Sequence, residues 1–232
     1  MTGYGDGVGG FVGWDFGTIG SGQYSTRAVV GGGNFAGRFV GAEQGDGLPS
    51  VWATGSCSGN ASTGGFAGYD DRSILQSYAT GAVSATSDNT GGFIGLQNGG
   101  AISFSCAAGT VSGASDTGGL VGQQNAQESE NYATGAVSGN AEVGGYAGCN
   151  SNAIASSYAT GDVSGSSNAV GRLVGHDYCG AVTDSFAIGS VSGQNNQVGG
   201  FVGLREGEQK PPITRPAPCK AQIRSVVSPA LS

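Results

Sequence analysis

Residues 64–84 read GGFAGYDDRSILQSYATGAVS, and two phrases inside this stretch recur along the chain. The first, G-[GR]-[FLY]-[VAI]-G, begins at Gly9, Gly37, Gly64, Gly91, Gly118, Gly144, Gly171 and Gly199, at steps of 26 to 28 residues. The second runs in phase as WATGSCS (52–58), YATGAVS (78–84), CAAGTVS (106–112), YATGAVS (132–138), YATGDVS (158–164) and FAIGSVS (186–192). A degenerate copy, YSTRAVV, occupies 24–30. Self-similarity at one fixed period means a stack of equivalent supersecondary units.

No window carries an i, i+3, i+4, i+7 apolar pattern, and 48 glycines among 232 residues argue against helices. Short β-prone runs between Gly, Ser, Asn and Asp predict strands joined by tight turns. The expected fold is all-β, a β-solenoid of about eight repeats with about three short strands in each. Stacking equivalent residues ~4.8 Å apart turns sequence columns into ladders. Phe11, Phe39, Phe66, Phe93, Leu120, Tyr146, Leu173 and Phe201 form one apolar column, expected inside. Tyr24, Trp52, Tyr78, Cys106, Tyr132, Tyr158 and Phe186 form a second, also read as internal. Leu48, Ile74, Ile102, Glu128, Ile154 and Val182 form a third, in which Glu128 is the one charge. An unpaired carboxylate is costly there, so this rung is expected to distort, or Glu128 to turn outward or find a partner.

The period leaves room for one folded body, residues 1–204, whose charge is 4 − 14 = −10. Residues 205–232 carry five of the six prolines and a net +3, and read as a disordered linker that leaves the ladder. The chain opens in mid-repeat without a charged leader, which predicts a fragment of a longer protein whose export signal lies upstream. The acidic body has no basic stripe for nucleic acid, and no apolar run reaches 18 residues.

Catalytic and metal-binding patterns are sparse. His176 is the single histidine, and in G-H-D-Y-C it invites a triad with Asp177 and a serine, or a pair with Cys179. The bland reading is a variable corner residue. The following column, Asp15, Glu43, Asp70, Gln97, Gln124, Asn150 and Asp177, reads as a solvated polar row, with calcium between Asp15, Glu43 and Asp70 as the alternative. Five cysteines (57, 106, 149, 179 and 219) show no metal spacing; Cys57 and Cys106 replace apolar column residues. Asp70–Asp71 is the adjacent acidic pair that glycoside hydrolysis would call on. We therefore expect no enzyme activity and no cofactor. Thr54, Thr80, Thr134 and Thr160 form a hydroxyl column that marks a possible ligand face, and a serine column runs from Ser58 to Ser192.

G-G-[FL]-[VAI]-G followed by S-Y-A-T-G-x-V-S-G at this period resembles the GLUG repeat of bacterial secreted and cell-surface proteins, over residues 9–203. The resemblance implies an extracellular or cell-surface location and a structural or adhesive role. Such a segment acts as a rigid spacer or an extended binding face for a host or extracellular glycan or matrix protein. The alternative it implies is the accessory repeat region of a surface peptidase or glycan-processing enzyme whose catalytic module is absent; no H-E-x-x-H is present. Ice or ordered-surface binding through the threonine column ranks below both.

Overall fold

The inner turns of the chain lay down five short parallel strands each, two more than the sequence predicts, as in Cys57–Gly59, Ala61–Gly64, Ala67–Asp70, Ile74–Leu75 and Tyr78–Ala79. One extra strand is the small, polar Ala61–Gly64, and the other arises because the run 74–79 divides into two two-residue strands. The computed structural model describes residues 1–194, 197–206 and the strand 223–225. It is a β-solenoid: three eight-stranded parallel sheets and a thirteen-stranded one, each strand pairing with its equivalents in neighbouring turns. Among the described residues no helix is long and apolar enough to cross a membrane.

Register follows the repeat columns. Leu48, Ile74, Ile102, Glu128, Ile154 and Val182 are aligned partners along one ladder. Tyr24, Trp52, Tyr78, Cys106, Tyr132, Tyr158 and Phe186 are aligned along the next. Val182–Ala187, one unbroken strand, joins these two ladders in the last complete turn.

The main core holds Phe39, Phe66, Phe93, Leu120, Tyr146 and Leu173, all fully buried. Phe39, Phe66 and Phe93 stack with centroids 5.2 and 4.7 Å apart. Phe11, at the open end of the stack, is 4.8 Å from Phe39 but half exposed. Smaller valine clusters fill a second strip, among them Val111, Val137, Val143, Val163 and Val170.

The glycine opening each G-G-x-x-G phrase is fixed by close approach. A Cβ on Gly64, Gly91, Gly118 or Gly144 would lie 1.9 Å from the carbonyl oxygen three residues ahead, far inside contact distance. Left-handed backbone falls elsewhere, on non-glycine corner residues such as Ser62, Asn89, Asp116 and Glu142 in one column and Gln76, Phe104 and Glu130 in another. Arg38 stands where most copies have glycine. Its side chain is buried, donating to the carbonyls of Gly65 (2.8 Å) and Gly81 (3.1 Å), and burial lowers its pKa to about 10.

Glu128 does not turn outward and its rung is not distorted. It stays in register with Ile102 and Ile154, fully buried, with no hydrogen bond of ordinary geometry to either carboxylate oxygen. The Tyr146 hydroxyl, which accepts a bond from Asn131 (3.3 Å), is its polar neighbour, and burial pushes the Glu128 carboxyl to about 8.

The expectation that the tail leaves the ladder is corrected at two places: Arg205 ends the strand Val202–Arg205, opposite Asp177, and a second piece pairs further on. Ile223–Ser225 adds in parallel to Val182–Ala187, with Ile223 opposite Val182 in the isoleucine column. Pro218 and Pro229 flank a proline-free run here, which removes the obstacle to pairing. The rest of the linker prediction, 207–222 and 226–232, lies outside the described residues.

Candidate functional site

Two features, one exposed and one largely buried, have functional geometry, and the first reverses an expectation. The Tyr24–Phe186 column faces outward, because alternation along Tyr78–Ala79 and its equivalents sends the alanine inward: Ala53, Ala79, Ala107, Ala133 and Ala159 are fully buried. Tyr24, Tyr78 and Phe186 are 56%, 37% and 41% exposed. Their rings stack flat in two runs. Tyr24–Trp52 and Trp52–Tyr78 lie 5.5 and 5.9 Å apart, and Tyr132–Tyr158 and Tyr158–Phe186 lie 5.1 and 5.0 Å apart, every pair within 6° of parallel. Cys106, half-buried, separates the runs, and burial raises its thiol pKa.

Thr54, Thr80, Thr134 and Thr160 follow immediately along this face. Their amides bond to carbonyls of the preceding turn (2.9–3.2 Å), and all four are partly or fully exposed. Ala108 and Ile188 interrupt the column. Around the corner, a groove of about 340 Å³ runs along Ser112, Ser138, Ser164 and Ser192, with Thr110 and Asp162 on its rim. The serine groove and the threonine column are separate features, four residues apart in each repeat.

The second feature is a discrete cluster. Cys149 and His176 are register partners on adjacent rungs of the Ala147–Asn150 and Val174–Asp177 strands. His176 is thus a strand residue, 5% exposed, and no variable corner position. Glu142 reaches it from the left-handed corner before the Gly144 phrase, with Oε1 3.1 Å from Nδ1. The Cys149 thiol donates to Asp116 Oδ1 at 2.7 Å. Tyr178 covers the imidazole at 3.9 Å between ring centres, and Glu206 Oε1 lies 3.5 Å from Nε2. Burial and the adjacent carboxylates push the Cys149 thiol well up, and burial raises Asp116 to about 7. The hydrogen bond with Asp116 lowers Glu142.

The other sequence candidates disperse. Asp177 points away from His176: its Oδ1 accepts from Asn150 (3.0 Å) and Gly180 (2.9 Å), and Arg205 pairs with its Oδ2 (3.4 Å). Cys179 hydrogen-bonds Ser151, so the thiol beside His176 is Cys149. The Asp15–Asp177 row is buried, and it caps the inner side of a corner. Asp15, Glu43, Asp70 and Asn150 each accept from the amide two residues ahead (2.9–3.2 Å). Asp15 and Glu43 lie side by side and Glu43 acts on Asp70, but among the described residues the group whose ligand atoms all lie within 4.8 Å of one another is Glu142, Cys149 and His176. Asp70 is fully buried and Asp71 partly exposed, so the pair does not present two carboxylates to solvent together.

The cluster escapes a sequence reading because its members come from three repeats and two different columns. Asp116 and Glu142 stand where other turns have Phe35, Ser62 and Asn89. No protein-family model, curated protein or solved structure matches this chain.

Proposed function

We propose that this chain is a non-catalytic structural and adhesive segment of an exported bacterial surface protein, a rigid rod that engages an extended glycan along one face. The observation that carries the reading is the outward aromatic ladder, Tyr24–Trp52–Tyr78 and Tyr132–Tyr158–Phe186, beside the threonine column. A monomeric core has no need of stacked rings at its surface, and exposed aromatic stripes mark interaction sites. Tyrosine hydroxyls, the Trp52 indole N–H and threonine hydroxyls repeat at the rung spacing, ~4.8 Å, which suits a polymer that repeats its own hydroxyls. Many weak contacts then add across rungs. The resemblance to GLUG repeats supports the surface location.

The test is a screen of the full chain against polysaccharides and matrix proteins, repeated with Trp52→Ala and with Tyr158→Ala. Binding to an extended polysaccharide that both variants weaken, and that Gln76→Ala elsewhere on the surface does not, is the expected result. Binding indifferent to both ring deletions, or no polymer bound at all, sinks the reading.

A further inference from the structure

We propose that Glu142, Cys149 and His176 form a binding site for one divalent transition-metal ion, with zinc as the fitting ion. Imidazole nitrogen, thiolate sulfur and carboxylate oxygen are the zinc donor set. Zinc–ligand bonds of about 2.0–2.3 Å place tetrahedral donors roughly 3.3–3.8 Å apart. The three donor atoms already lie within 4.8 Å of one another, with His176 Nδ1 and Glu142 Oε1 3.1 Å apart, so modest side-chain rotations suffice.

Three further observations point to a ligand. His176 and Cys149 are buried, 5% and 4% exposed, at positions where Tyr69, Leu96 and Gln123 are half-open in other turns. His176 Nε2 is buried without a hydrogen bond, yet Glu206 stands 3.5 Å away on the side opposite Glu142. Ligating histidines commonly direct their second nitrogen to a carboxylate, which fixes the ring for coordination through the first. Asp116, against the Cys149 sulfur, is placed to supply a fourth oxygen or to hold the thiol in orientation.

Among the described residues the set occurs once. Its residues lie on successive rungs, so an ion here would staple neighbouring turns near the C-terminal end of the rod. On binding, the Cys149 proton leaves to solvent and the sulfur coordinates as thiolate, while the imidazole coordinates neutral.

The experiment titrates the reduced full-length chain with Zn²⁺ by calorimetry and with Co²⁺ by absorption. We expect one saturable equivalent, a raised Tm, and a thiolate-to-cobalt charge-transfer band with tetrahedral d–d absorption. Cys149→Ser removes the band, and Glu142→Gln and His176→Ala each weaken binding by ~10-fold or more. Circular dichroism checks that each variant keeps its β-structure; because Glu142 is partly exposed, Glu142→Gln carries the test if a buried variant fails to fold. Absence of a saturable equivalent overturns the proposal. So does a charge-transfer band that persists in Cys149→Ser, since another cysteine then holds the metal.

Discussion

Trp52 and Tyr78 stand one rung apart on the outside of the solenoid, ring planes within 6° and centres 5.9 Å apart, while Phe66 and Phe93 stack in the same manner inside it. The two ladders do different work. Phe66→Ala opens a buried cavity and costs roughly 3–5 kcal/mol. Trp52→Ala loses two half-exposed stacking contacts and costs about 1–2 kcal/mol. Denaturant unfolding of the two variants separates inner from outer, and equal losses contradict the assignment.

Glu128 is a carboxylic acid buried in a column of aliphatic side chains. Glu128→Ile continues the Ile102–Ile154 ladder and is expected to stabilise the body at neutral pH by roughly 1–3 kcal/mol. A lower Tm for this variant would show that the Tyr146–Asn131 neighbourhood needs the acid more than the core needs the hydrocarbon.

The same residue sets a pH dependence. Burial raises Glu128 from 4.5 to about 8, and burial, then Asp15, raise Glu43 from 4.5 to about 7. Below pH 4.5 both folded and unfolded chains hold these protons, and the stability is fully present. Between that value and the folded pKa the unfolded chain releases protons that the folded chain retains. Stability therefore falls as pH rises, by about 1.4 kcal/mol per unit for fully buried Glu128. Glu43 acts in the same direction. Tm should be higher at pH 5 than at pH 8.5, and Glu128→Gln should flatten the slope. A Tm that climbs across this range contradicts the burial of these acids.

Glycine and corner chemistry give an opposed pair. Gly91→Ala drives a Cβ to 1.9 Å from the Ile94 carbonyl oxygen and should cost more than ~3 kcal/mol or prevent folding. Gln76, exposed at a φ of 50°, should gain about 0.5–1 kcal/mol as glycine. Thermal melts of both variants check the signs.

The period made the solenoid, its register and its inner Phe–Leu–Tyr column legible in the sequence, because equivalent residues stack rung on rung and the Phe39–Leu173 positions are buried together. The outward turn of the Tyr24–Phe186 column was not legible. Each aromatic precedes a small alanine that looks negligible as core, yet the alanine packs inward where neighbouring ladders crowd, and the ring goes out. The Asp15–Asp177 row misled for a related reason: polar side chains at a corner satisfy buried amides as readily as they meet solvent. His176 looked isolated because its partners Glu142 and Cys149 are distant in sequence and close only once rungs stack.

The central claim, an extended repeated binding face, is tested most directly by affinity for the bound polysaccharide as rings are removed from Trp52, Tyr78, Tyr132 and Tyr158, singly and then together. The account predicts stepwise weakening with each ring lost, and unchanged affinity in His176→Ala. A single substitution that abolishes binding, above all His176→Ala, contradicts it.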